Sequence, residues 1–140
     1  DKYHVRCEYL EVEVSEAGND MNQEMLAETS GKIRKANVRV ILDHFGAKDS
    51  SFSILSLMEF DALKLDKSLI TNIVGNSRSR IVAQAVIDIC RQLGASVEAA
   101  GVETQDQLNV LGELGCDHAQ GVLFNKPITI DTFEVRYLKG

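Results

Sequence analysis

The stretch CEYLEVEVSE, residues 7–16, alternates apolar and acidic side chains. Leu10, Val12 and Val14 face one way and Glu11 and Glu13 the other, the period-2 pattern of a strand. Parallel strands covered by helices on both faces are near-continuous apolar runs, so a row of acids needs another explanation. In a doubly wound sheet Glu13 would face a helix layer, at a high desolvation cost. In an α/β barrel helices cover only the outside, and the inner face can turn polar near the carboxyl ends of the strands. The alternation therefore favours a partial TIM-like (β/α) barrel of parallel strands, with Glu13 facing its mouth.

Outward from this strand, the chain alternates strand and helix to its end, the pattern of βαβ units. An acidic turn over residues 16–20 leads into a polar helix from about Asp20 to Ala36, with a weak apolar stripe of Met21, Met25, Leu26 and Ile33. NVRVILDHFG (37–46) is a second strand and ALKLD (62–66) a third, with a short helix in FSILSLMEF (52–60) between them. A helical turn is expected over 67–73. The strongest helix carries Ile81, Val82, Ala85, Val86, Ile89, Cys90 and Leu93 as one stripe and stops at Gly94. SVEAAGVE (96–103) is a fourth strand. Thr104 and Gln107 form a capping box for the helix that ends at Gly115. HAQGVLF (118–124) is a fifth strand, broken by Pro127, and Thr129 caps a last helix.

The 140 residues suffice for one domain with a real core. Net charge is −6, which argues against binding a nucleic-acid backbone. It leaves room for an anionic ligand held through a divalent cation. Three cysteines, Cys7, Cys90 and Cys116, with no CxxC pair, argue against a disulfide framework and for a reducing cytoplasm. No apolar run reaches the roughly 20 residues of a membrane span, and the first residues, DKYHVR, are not a signal peptide. A start without Met is read as an excised fragment.

Polar residues stand at or near the strand ends: Glu13, Asp43, Lys64, Glu103 and Gln120. In parallel α/β sheets such ends converge on one crevice. Each has a plainer reading. Glu13 suits a solvated strand position and Asp43 a turn cap. His44 suits either a metal ligand or a pocket wall. Lys64 within an apolar strand needs an acidic partner, Asp43 or Glu103. Glu103 suits tying down its own turn, and Gln120 a structural hydrogen bond. Glu98 shares a face with Ala100 but lies about 6–7 Å deeper along the strand, too far to do the work of an acid at 100. His4 and His118 look incidental.

E-V-S-E (13–16), D-H-F-G (43–46), L-K-L-D (63–66), A-A-G-V-E-T (99–104), L-G-C-D-H-A-Q-G (114–121) and F-N-K-P (124–127) together resemble the signatures of bacterial EAL domains. These are cyclic-di-GMP phosphodiesterases with a TIM-like barrel, in which two Mg or Mn ions clamp the phosphate and activate a water. The resemblance implies that Glu13 and Asp43 stand at metal-ligand positions, with His44 where a second aspartate is usual. Lys64 and Gln120 match residues near the attacking water, Glu103 matches one acid of the E-G-V-E turn, and Ala100 stands in place of the other. The E-A-L signature and the asparagine ligand that follows it are absent. Lys48 and Asp49 replace a glycine-tyrosine pair in a loop that couples the family's dimer interface to its metals.

The expectation is therefore one truncated EAL-like domain over residues 1–140, the C-terminal portion of a barrel that runs to about 250 residues. Its expected role is regulatory or protein-interacting, as a catalytically degenerate domain. The alternatives are a fragment of an active phosphodiesterase and a cyclic-di-GMP sensor that does not cleave. No cofactor is expected for this chain, and weak or no cyclic-di-GMP binding. The expected partner is a second copy or another protein domain, covering the open edge of the first strand. No nucleic acid and no direct membrane segment are expected.

Overall fold

The computed structural model describes residues 5–16, 22–48 and 50–139. Five parallel strands form one sheet in sequence order: β1 (Glu11–Val14), β2 (Arg39–Phe45), β3 (Ala62–Leu65), β4 (Ser96–Ala100) and β5 (His118–Gln120). Between them lie α1 (Gln23–Lys35), α2 (Ile54–Leu57), α3 (Lys67–Ile70), α4 (Ser77–Leu93) and α5 (Gln105–Leu114). After β5 come α6 (Ile130–Phe133) and a π-helical turn, Glu134–Leu138. This is an α/β arc of the TIM-like barrel type.

The register sorts the side chains into two faces. On the outer face Val40, Leu42, Leu63, Leu65, Val97 and Ala99 are buried against the helices, joined by Val86, Ile87 and Cys90 of α4. The inner face carries Glu13, Asp43, Lys64, Glu98, Ala100 and Gln120, as the alternation in 7–16 predicts for a barrel. Glu11 pairs with Arg39 at the lower end of that face.

Local chemistry sets the element ends. Asn22 caps α1 by accepting from the Met25 N–H (2.8 Å), and Asn76 caps α4. Thr104 and Gln107 form the predicted capping box of α5, and Thr129 caps α6. Asp61 fixes the entry of β3: its carboxylate accepts the Val40 N–H at 2.9 Å and meets the Arg34 guanidinium, so one acid ties α1, β2 and β3 together. Asp117 repeats the device before β5, accepting the Val97 N–H at 2.7 Å.

Three expectations need correction or trimming. The α4 stripe is rotated. Ala83, Val86, Ile87 and Cys90 are buried, whereas Ile81, Val82 and Leu93 are exposed. The helix carries apolar side chains on both its buried and its exposed sides, and the buried set is Ala83, Val86, Ile87 and Cys90. The fifth strand stops at Gln120, because Gly121 turns the chain against Val102: a side chain there would overlap the Val102 backbone. The first helix begins at Gln23. Its expected start at Asp20 and Met21, most of the acidic turn, His4 and Asp49 lie outside the described residues.

Candidate functional site

The carboxyl ends of the strands open into a groove of about 790 Å³. Its floor holds Glu13, Asp43, His44, Lys64, Ala100 and Gln120, so six of the seven predicted positions come together. Glu103 does not join them. Its carboxylate lies 2.5 Å from Lys67 Nζ on the rim, and both side chains are about half exposed. The backbone N–H of Glu103 donates to Gln107 Oε1 at 2.8 Å, so the turn is tied down by Gln107 rather than by Glu103's own side chain.

Strand β2 carries a bulge here. Leu42 pairs with Leu63 and Phe45 with Leu65, so Asp43 and His44 together stand opposite Lys64. The extra residue is His44, in the left-handed region at φ 59°, a conformation more frequent for histidine than for most residues. One Asp43 oxygen accepts the His44 N–H at 2.7 Å, and the other lies 2.8 Å from His44 Nδ1. Asp43 is thereby turned onto its own neighbour. His44 is well exposed beside it.

Lys64 occupies the centre. Its side chain is 9% exposed, and Nζ lies 2.5 Å from Glu13 Oε1 and 3.8 Å from Glu98 Oε2. The acidic partners are Glu13 and Glu98, not the Asp43 or Glu103 expected. Burial works against the charged ammonium. The hydrogen bond to Glu13 and the charges of Glu98, Glu13 and Asp43 outweigh it, so the pKa is raised. Glu98 faces Lys64 directly across the β3–β4 register, a juxtaposition no local pattern announces.

The surroundings are fixed by short links. Glu16, three residues after Glu13, accepts from Gln23 Nε2 (2.5 Å) and from the Ser51 N–H (2.9 Å), which holds the loop after β2 against the end of β1. Asp66 caps α3 by accepting the Ser68 N–H at 2.8 Å. Burial acts to raise its pKa, but the Ser68 hydrogen bonds, the His44 charge and the Lys67 N–H lower it overall. Gly101 follows Ala100 at φ 76°, where a β-carbon would strike the Lys67 side chain. The far wall of the groove is Phe133 and Tyr137, with ring centroids 5.1 Å apart. Lys126 also lines the groove. Nothing in the spacing of residues 126–137 marks them as groove-lining.

A parallel arc with acids, a lysine and a glutamine at its strand ends is an α/β domain of the TIM-like barrel class. The EAL domain profile matches residues 1–127, and the chain belongs to the EAL domain family. It is 36% identical to the signalling protein YkoW of Bacillus subtilis over 134 residues, 96% of this chain and 17% of YkoW. It is 36% identical to the cyclic di-GMP phosphodiesterase NbdA of Pseudomonas aeruginosa over 126 residues, 90% of this chain and 16% of NbdA. The crystal structure of the EAL domain of Mycobacterium smegmatis DcpA superposes with a TM-score of 0.83 at 30% identity, covering 93% of this chain and 58% of that one. The manganese and cyclic-di-GMP complex of Klebsiella pneumoniae BlrP1 gives 0.81 at 28% identity, covering 88% and 31%. The chain thus spans about a sixth of the curated relatives' length.

The BlrP1 complexes hold calcium or manganese, so the donor set here was tested against a divalent ion. Among the described residues no three histidine, cysteine or carboxylate side chains gather to hold one metal. Glu13 is engaged by Lys64, Asp43 faces His44, and Ala100 offers no donor. The residues present do not fit the family's metals.

Proposed function

We propose that this chain is a catalytically degenerate EAL domain with a regulatory or protein-interaction role in bacterial cyclic-di-GMP signalling, working in the cytoplasm. The observation that carries this reading is the state of the strand ends. Ala100 replaces an acid, and the two remaining acids of β1 and β2 are turned onto Lys64 and His44. In two-metal hydrolysis the cations contribute several kcal/mol of transition-state stabilisation, and a floor without a free donor set does not supply it. The vestigial positions are Glu13, Asp43 and His44 toward metal, and Lys64, Glu103 and Gln120 toward the water.

A protein-facing role is supported by surface chemistry. Ile81, Val82 and Leu93 of α4 are exposed, an apolar stripe suited to a second copy of the chain or another domain. Among the described residues β1 has a strand neighbour on one side only, β2, so its other side suits a partner segment.

The test is a hydrolysis assay with cyclic-di-GMP and magnesium or manganese, run beside calorimetric titration of the same sample. No turnover is expected, and weak or no binding. Detectable turnover refutes the reading. The paired variant His44→Asp and Ala100→Glu is expected to remain inactive, and rescue by it would establish the alternative of an active phosphodiesterase fragment. Tight binding without turnover would establish a sensor.

A further inference from the structure

We propose that three glycines at the strand ends, Gly46, Gly101 and Gly121, form a mechanical linkage along the rim of the groove, with the short helix α3 as its central piece. A displacement of the loop after β2 is passed through α3 to the turn after β4, and from there to the turn after β5 that lines the groove. The inference rests on the regulatory reading above and deepens it, by giving the route along which the state of one loop alters the groove.

Each glycine lacks a β-carbon where a neighbouring turn takes the room. After β2, Gly46 stands at φ 93°, and the Leu69 side chain of α3 fills the space of its missing side chain. After β4, Gly101 stands at φ 76°, and a β-carbon there would come within 2.8 Å of Lys67 Cγ, on the same short helix. After β5, Gly121 lies against the Val102 backbone of the preceding turn. Close-packed protein interiors transmit strain. With those three spaces filled, one turn does not shift without displacing the next.

Hydrogen bonds join the same pieces. The Asp66 N–H donates to Phe45 O at 2.9 Å and Ser68 Oγ to Gly46 O at 3.3 Å, which fixes α3 to the end of β2. On the other flank Lys67 meets Glu103, and the buried Gln107 accepts the Glu103 N–H while donating to Ile70 O at 3.4 Å. The Val102 N–H donates to Gln120 O at 3.0 Å, and Val102 O accepts the Leu123 N–H at 3.2 Å. Asn125, in the same turn after β5, donates to the Tyr137 hydroxyl at 2.9 Å. At the near end, Glu16 holds the Ser51 N–H and Ser50 Oγ the Gly46 N–H. None of these links uses a side chain at position 100, so the linkage does not depend on the acid that Ala100 replaces.

The test is amide hydrogen exchange, read by mass spectrometry, on the unchanged chain and on Leu69→Ala. That variant empties the space beside Gly46 and leaves Lys67, Glu103 and Gln107 as they are. Exchange at each turn is taken as a ratio to exchange in β3, so a general loss of stability cancels. The ratio is expected to rise at least about fivefold, the lower end of typical couplings between sites, in residues 101–104 and 121–125 as well as in 46–48. If Leu69→Ala fails to fold, Lys67→Ala at a half-exposed position runs the linkage in reverse, because coupling is reciprocal. The same rise is then expected in 46–48, on the far side of α3. A rise confined to 46–48 in Leu69→Ala, a rise confined to 101–125 in Lys67→Ala, or ratios that stay constant would each overturn the inference. Cyclic-di-GMP hydrolysis by the unchanged chain separates the two levels. Turnover sinks the degenerate reading, whereas exchange that rises on one side only sinks the linkage alone.

Discussion

Exchanging Glu13 for Gln and Lys64 for Met, singly and together, measures how strongly the central pair is coupled. The structure sets the magnitude. At 2.5 Å Coulomb's law gives about 1.7 kcal/mol in a water-like medium and about 6.6 at an effective dielectric near 20. The pair has one dry end and one wet end: Lys64 is 9% exposed and Glu13 48%. Exposed pairs measure about 0.2–1 kcal/mol, and stripping one partner from a fully buried pair costs about 3–5. A coupling of about 2 kcal/mol follows. Glu98, at 3.8 Å and one-quarter exposed, should couple to Lys64 by about half that. The assay is urea unfolding followed by circular dichroism for the four proteins of the cycle. The pH dependence is signed. The fold raises the Lys64 pKa above 10.5, so the coupling is complete below that pH and fades as pH climbs through the folded value. A coupling under about 0.5 kcal/mol at neutral pH, or one unchanged far above pH 10.5, would refute a Lys64 held mainly by these carboxylates.

Three other measurements probe the frame around the site. Gly121→Ala drives a β-carbon into the Val102 backbone; a loss of about 3 kcal/mol or more in thermal unfolding is expected, as for other steric clashes with main chain. Asp66→Ala removes the cap of α3 and should cost about 1 kcal/mol, while Asp66→Asn should keep most of it. Because the fold lowers the Asp66 pKa below 3.8, its ionic contribution is present above that pH and is lost as pH falls through the folded value, a slope that Asp66→Asn should lack in acid titrations. Burial pushes the Cys90 and Cys116 thiols up to about 11, so brief alkylation at mildly alkaline pH, read by mass spectrometry, should label exposed Cys7 first and the other two only after unfolding.

Much of this was legible because it is periodic or local. The acid-apolar alternation of 11–14 fixes which face of β1 looks inward, and the capping box at Thr104 marks the start of α5 from four residues. Strand ends could be read as a site because parallel strands place them together. What escaped the reading is non-local or conformational. Lys64 meets Glu13 across 51 positions of sequence, and meets Glu98 only because register sets them side by side. The β2 bulge depends on a left-handed His44 that composition does not encode. Glu103 was placed in the site by its position in a turn, but Lys67 draws its carboxylate to the rim. Helix α4 was misread because a helix with apolar side chains on both its buried and its exposed sides has no single stripe to predict.

The strand order β1-β2-β3-β4-β5 is also the order of synthesis. Each new strand needs only its immediate predecessor as a template, so the sheet can grow one unit at a time as the chain emerges from the ribosome. Unravelling should run along the same line from both ends. Amide exchange would then be slowest in β3, flanked on both sides, and fastest in β1 and β5. The lysine at the heart of the groove sits on the last strand to let go.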